Sequence, residues 1–386
     1  MSLITDTPSL AALCRRLADA PFVTVDTEFI REKTYWPQLC LVQVAGPEDA
    51  AAVDALAEGI DLAPLFELMA DPAILKVFHA ARQDVEIFFH LTGSLPTPVF
   101  DTQVAAMVCG FGDSVGYETL VAKLARTHID KSSRFTDWSL RPLRKRQIDY
   151  ALSDVTHLRK VYEKLRSKLA DNGREGWLGE EMATLTDPRT YDPDPDQVFR
   201  RVKSRGTNPR FLAILREVAA WREKEAQRRD LPRNHVLRDE ALVEIAHHTP
   251  STAAELARTR GLGRRLAEGG AGAAIIEAVK RGIDLPDGDC PRPRETVDLP
   301  RGMAPVVDLL KVLLKMKCEE HEAAQKLVAS SADLTAIAVH GEKADVPAMR
   351  GWRRGVFGAD ALELCRGGVA LAVDRRRIRL VPTEKD

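Results

Sequence analysis

The chain has 386 residues, past the size at which one hydrophobic core stops growing, so two or three domains are expected. Apolar residues make up 45% and charged residues 29%, a balance that excludes a disordered, collagen-like or membrane-spanning chain, and no run of about 18 apolar residues is present to cross a bilayer. The net charge of −1 hides an asymmetry: residues 1–200 carry 22 basic and 30 acidic side chains, residues 201–386 carry 34 and 27. A polyanion is drawn to the second half, while clustered carboxylates in the first half could hold cations. The start, Met-Ser-Leu-Ile-Thr-Asp, lacks the basic patch and apolar core of a secretory signal. Six scattered cysteines (Cys14, Cys40, Cys109, Cys290, Cys318, Cys365) form no C-x-x-C pair. Neither a disulfide framework nor a structural zinc site is expected, and the expected compartment is a reducing cytoplasm.

Phe-Val-Thr-Val at 22–25 alternates and runs into Asp-Thr-Glu-Phe, which predicts a strand. Leu39–Val44 and Ala51–Leu56 predict two more, with Gly46-Pro47 at the turn. Connections this short favour an antiparallel meander. Strand Ile74–Phe78, helix Val85–Leu91, strand Val99-Phe100 and helix Gln103–Val108 follow, an alternation that adds parallel strands to the sheet. From Arg144 to Leu169, apolar residues recur at three and four, the signature of a long amphipathic helix. The proline- and aspartate-rich stretch Thr186–Gln197 predicts a linker. Beyond Asn208 the pattern is helical, with Phe211–Arg222, Leu237–Ile245 and a capping box at Thr252-x-x-Glu255. A second Pro/Gly-rich gap, Ile283–Arg301, precedes helices at Val306–Met316 and Ala323–Val328, and the strand-like Gly368–Val381 is left unplaced. The expected division is an α/β domain over 1–185, a linker over 186–207, a helical domain over 208–285, a linker over 286–300 and a second helical domain over 301–386.

Three acidic motifs stand out in the first domain. Asp26 and Glu28 are two apart on a strand and share one side of the sheet. Asp84 follows the strand that ends at Phe78-His79. Tyr150 and Asp154 are four apart on the long helix and share a face. Each has a plainer reading: a chance D-x-E, a helix N-terminal acid, a solvated helix charge. Asp26 and Glu28, however, interrupt an apolar strand at its buried end, where unpaired carboxylates are costly unless they bind a cation. Four converging carboxylates repel one another, and hard divalent cations relieve that repulsion. With no His or Cys in the set, magnesium or manganese is favoured over zinc. Two such ions can hold a phosphodiester for in-line attack by water, and the Tyr150 hydroxyl is placed to orient that water.

The strings Phe22-Val-Thr-Val-Asp26-Thr-Glu28-Phe, Phe78-His-Ala-Ala-Arg-Gln-Asp84 and Tyr150-Ala-Leu-Ser-Asp154-Val resemble the three motifs of the DEDDy 3′→5′ exonucleases. Arg31-Glu-Lys-Thr-Tyr35-Trp-Pro37-Gln-Leu-Cys-Leu-Val-Gln43 and Asp130-Lys-Ser-Ser-Arg-Phe-Thr-Asp-Trp138 resemble the ribonuclease D family specifically. Leu212–Gly282, with Trp221-Arg222-Glu223, Leu231-Pro232-Arg233 and Gly261-Leu-Gly263, resembles an HRDC domain, and 301–386 fits a second one loosely. The resemblance implies a ribonuclease-H-like α/β exonuclease domain with a mixed sheet flanked by helices, followed by one or two small all-α HRDC-type domains. It also implies two divalent ions, Mg2+ or Mn2+, held by Asp26, Glu28, Asp84 and Asp154, with Tyr150 positioning water. The implied activity is release of 5′-mononucleotides from RNA 3′ ends, with 3′-extended tRNA precursors as substrate.

A phosphate backbone approaching the carboxylates needs counter-charge, and Lys131, Arg134, Arg141 and Arg144 precede the long helix. Tyr35, with Trp36 and Phe29, could stack on terminal bases. Gln43 completes the set of candidate RNA contacts, and Arg228, Arg229, Arg233, Arg264 and Arg265 could hold the body of a tRNA. The rival readings are a DNA-proofreading exonuclease of the same chemistry and a non-catalytic nucleic-acid-binding protein. The phosphate-binding string of an ATP-driven helicase is missing from the sequence, so no nucleoside triphosphate partner is expected. No membrane partner is expected, and the chain is expected to be a monomer.

Overall fold

The computed structural model describes residues 2–130, 133, 136–293 and 298–383. Six strands, β1 (Ser2–Ile4), β2 (Phe22–Ile30), β3 (Gln38–Ala45), β4 (Ala50–Asp54), β5 (Leu75–Phe78) and β6 (Val99–Asp101), form one sheet in the order β1-β4-β3-β2-β5-β6. β2, β3 and β4 make the antiparallel meander that their short turns predict, and β5 and β6 extend it in parallel. β1 joins the far edge, parallel to β4.

Helices cover both faces. α1 (Thr7–Leu17), α2 (Ala63–Ala70) and α3 (Arg82–Thr92) bury Leu10, Leu13, Leu65, Val85 and Phe88 against Val23 and Val25 of β2. On the other face lie α4 (Thr102–Val108), the short α5 (Tyr117–Leu120) and the 27-residue α6 (Lys145–Asp171). Leu158, Val161 and Leu165 of α6 pack with Phe22 and Val77. The Thr24 hydroxyl donates to the Val155 carbonyl at 2.8 Å, fixing α6 across β2.

The stretch read as a linker is built into the structure. After α7 (Gly179–Leu185), its aspartates cap short 3₁₀ turns: Asp187 accepts from the Arg189 amide and Asp194 from the Asp196 amide. Tyr191 is buried in the first core, while Val198, Phe199 and Val202 are buried in the second. That second core belongs to α8 (Pro209–Arg229), α9 (Arg233–Val236), α10 (Asp239–His248), α11 (Ala253–Leu256), α12 (Arg264–Ala267) and α13 (Gly270–Asp284).

A third core is formed by α14 (Ala304–Glu320), α15 (Gln325–Val328), α16 (Ser331–His340), α17 (Gly351–Arg353) and α18 (Ala359–Cys365). The strand-like terminal segment becomes an antiparallel hairpin, β7 (Val369–Asp374) with β8 (Arg377–Pro382). This region docks on the first domain. Trp352 stacks on Trp177 at 4.1 Å, and the buried Arg353 bonds the Leu327 carbonyl, Glu180 and Glu181. All six cysteines are free thiols, and no helix among the described residues is long and apolar enough to cross a membrane.

Candidate active site

β2 pairs with β5 only over Phe22–Thr24, so beyond Thr24 one edge of β2 has no strand neighbour. Asp26 and Glu28 lie on this stretch, opposite Gln43 and Leu41 of β3, and a bulge follows between Glu28 and Phe29. Such bulges re-aim side chains next to functional sites. α6 passes over the same face and delivers Asp154. One carboxylate oxygen each from Asp26, Glu28 and Asp154 lies within 4.8 Å of the other two.

Asp84 enters from the first turn of α3. The turn before it is braced by Asp101, whose carboxylate accepts from the amides of Ala80 and Ala81 at 2.9 Å and caps α4. Ala80 takes a left-handed φ of 59°, a conformation that costs a non-glycine residue about 1–2 kcal/mol. The Thr27 hydroxyl, on the opposite side of β2 from Asp26, donates to Asp84 Oδ1 at 2.5 Å.

The electrostatics of Asp26, Glu28 and Asp84 are coherent. Burial, then the neighbouring Asp154 charge, pushes Asp26 well above the usual carboxylate range. Burial and the charges of Asp26, Asp154 and Asp84 push Glu28 up to about 10. Asp84 is raised by burial and by Asp26, with the Thr27 hydroxyl pulling the other way. An all-oxygen, mutually repelling set with no histidine or cysteine in its closest group fits a hard divalent cation.

A cavity of about 320 Å³ opens onto the acids, lined by Asp26, His79, Tyr117, Tyr150, Asp154 and Leu158 among others. Tyr150 stacks on Trp138 with ring centroids 6.3 Å apart. Tyr117, which sequence reading missed, donates its hydroxyl to the backbone carbonyls of Asp154 and, at 3.3 Å, of Ser153. Its phenol is raised by burial and by the Asp154 and Asp26 charges. No acid spacing marks Tyr117 in the sequence; only its place among five tyrosines could have drawn attention. His79 Nδ1 sits 3.0 Å from the Thr102 hydroxyl, and burial lowers its pKa.

The structure places the expected RNA contacts differently. Tyr35 is 5% exposed and is no stacking platform. Its hydroxyl donates to Glu223 at 2.5 Å and accepts from Arg233 at 2.9 Å and Gln227 at 3.1 Å. Its amide and that of Trp36 both donate to Asp230 Oδ1. Trp36 stacks on His90 at 4.1 Å, and Phe29 packs against the first core. Gln43 is fully buried beside Asp26 and out of reach of a polymer. Arg141 is taken up by both oxygens of Asp54 and by the Cys40 and Trp138 carbonyls. Arg144 stays exposed at the N-cap of α6. Lys131 and Arg134 lie outside the described residues. In the second domain Arg233 is bound by Glu223, Arg228 by Glu225 at 2.8 Å and Arg264, at 3.8 Å, by Glu268.

Residues 1–170 match a family model described as 3′-5′ exonuclease, and residues 211–279 match the HRDC domain. The chain is 54% identical to a ribonuclease D of Granulibacter bethesdensis over 99% of its own length and 97% of the relative's. It is 53% identical to one of Gluconacetobacter diazotrophicus, with 98% and 96% covered. The crystal structure of Escherichia coli RNase D, an exoribonuclease involved in structured RNA processing, superposes with a TM-score of 0.79 at 31% identity. That match covers 94% of this chain and 98% of the other.

Proposed function

Because the chain belongs to the ribonuclease D family and is a 3′→5′ exoribonuclease, we propose that it trims the 3′ ends of tRNA precursors and releases 5′-mononucleotides by two-metal hydrolysis. The observation that carries this is the meeting of Asp26, Glu28 and Asp154 within 4.8 Å, with Asp84 beside them. A pair of magnesium or manganese ions, when bound, supplies the positive charge that activates water and stabilises the leaving oxygen.

The chain's own residues do the rest. Asp26, Glu28, Asp84 and Asp154 hold the cations, and Thr27 turns Asp84 toward them. Tyr150, ionised only near pH 10 when free, orients the attacking water with its hydroxyl and is itself held by Trp138. Tyr117 anchors the α6 backbone at Asp154, so the helix cannot roll its carboxylate away. The adjoining cavity receives the terminal nucleotide. The free thiols and the presence of every proposed site residue in one chain support a monomer working in a reducing cytoplasm.

The test is to incubate a 3′-extended tRNA with the protein in magnesium, manganese or chelator and to size the products, with a matched DNA oligonucleotide alongside. Stepwise mononucleotide release that needs metal and vanishes in Asp26→Asn supports the reading. Endonucleolytic fragments, or full activity in Asp26→Asn, refute it.

A further inference from the structure

Between the exonuclease domain and the HRDC domain runs a trough made of two adjoining cavities of about 570 and 110 Å³, which share Arg31, Tyr35, Arg201 and Arg233. Its lining includes residues close in sequence to the acids: Arg31 lies three residues beyond Glu28 and Arg82 two residues before Asp84.

Its charges do not cancel. Arg31 is paired with both oxygens of Glu86 at 2.8 and 2.9 Å, and Arg233 with both of Glu223 at 2.6 Å. Arg222 is 5% exposed, and its two hydrogen bonds both leave from Nη1, to Asp239 and the Leu237 carbonyl. Its Nε has no acceptor among the described residues. Arg82 and Arg201 are exposed and have no carboxylate partner among the described residues. Two guanidinium groups are therefore left over on a concave surface already lined by other arginines, where the field attracts an anion.

Among the described residues that line it, no aromatic face is free, Tyr191 being 5% exposed. The Tyr35 ring is covered by the Arg233 guanidinium at 4.7 Å and Trp36 by His90 at 4.1 Å. A nucleobase has nothing here to stack on, whereas a phosphate has forked donors that suit it.

We propose that this trough is a backbone subsite, in which Arg82 and Arg201 hold phosphates of the RNA strand leading from the scissile end toward the HRDC domain, without reading its bases. The inference rests on the exoribonuclease reading above, and its test separates the two. Binding of a stem-loop RNA with a single-stranded 3′ tail is followed by fluorescence anisotropy, with chelator present to stop cleavage, over a salt series. Charge reversal by Arg201→Glu or Arg82→Glu is expected to weaken binding about 5–10-fold and to flatten the log–log salt slope by about 0.7 per lost contact, whatever the tail sequence. Arg201→Lys restores most of the affinity. Mononucleotide release from a trinucleotide, too short to fill the trough, stays at the wild-type rate in Arg201→Glu and Arg201→Lys. Unchanged affinity and slope in both reversals overturn the inference, and so does a loss that depends on the tail bases. Saturable binding of 5′-AMP that disappears in Arg201→Glu overturns it in favour of a product site. If the wild-type protein releases no mononucleotide from the trinucleotide, the functional reading fails, whatever the binding series shows.

Discussion

Removing and restoring the cations probes the carboxylate cluster most directly. Two unit charges 4.8 Å apart repel by about 3.5 kcal/mol at an effective dielectric constant of 20. The last of three carboxyls to ionise feels two such charges, about 7 kcal/mol. Solvent at the half-buried Asp26 and Glu28 weakens this, yet burial and the neighbouring charges still push Glu28 up to about 10. The metal-free protein therefore keeps at least one proton on the cluster at pH 7, and a cation must displace it. The assay is calorimetric titration with manganese at pH 7 in buffers of different ionisation enthalpy. The slope of observed heat against that enthalpy should report about one proton or more released per chain, and the apparent affinity should tighten about tenfold per pH unit for each proton. Asp26→Asn should release fewer. Heats independent of buffer, with an affinity flat from pH 6 to 8, would refute the electrostatic account of the site.

Tyr150→Phe keeps the ring on Trp138 and loses only the hydroxyl, so kcat should fall about 100-fold while RNA affinity stays within about twofold, read by single-turnover kinetics and anisotropy. Tyr35→Phe deletes the hydroxyl that bridges Glu223, Arg233 and Gln227, and urea unfolding should show a loss of about 1.5–3 kcal/mol. An unchanged midpoint would mean the bridge contributes nothing. In chelator, the raised Asp26, Asp84 and Glu28 favour the folded state while protonated. That stability is present below the ordinary carboxylate range and is lost as pH rises toward about 10. The melting temperature of the metal-free protein should thus fall between pH 5 and 9 more steeply than that of Asp26→Asn, and magnesium should flatten the fall.

The meander, the parallel additions and the long helix were legible because their periodicity is local, and the same holds for the pairs Asp26/Glu28 and Tyr150/Asp154, each of whose spacing fixes a shared face. What escaped the sequence depends on distant partners. β1 has three residues, too few for any alternation to show, and exists because β4 offers it an edge. Tyr35 looked available for a base until Glu223, 188 residues away, was found to hold its hydroxyl. There burial pushes the Glu223 carboxyl up, but hydrogen bonds from Arg233 and Tyr35 together with the Arg233 and Arg222 charges outweigh it and hold the group below its ordinary range. The segment read as a linker misled because proline and aspartate mark caps of short turns as readily as open chain, and its Tyr191, Val198 and Phe199 carried the truer signal. Tyr117 works through a backbone carbonyl, a contact that no side-chain pattern encodes.

The Trp177–Trp352 stack and the Arg353 clamp bear on how this chain can be shortened. Ending it after the HRDC helices would bare an indole face on the catalytic body and strand Glu180 and Glu181 without their cation, while Met107 would lose the amide of Ala324 that its carbonyl now accepts. The last eighty-odd residues are therefore masonry set into the nuclease wall, and a trimmed version should be sticky in solution before any change in its chemistry is seen.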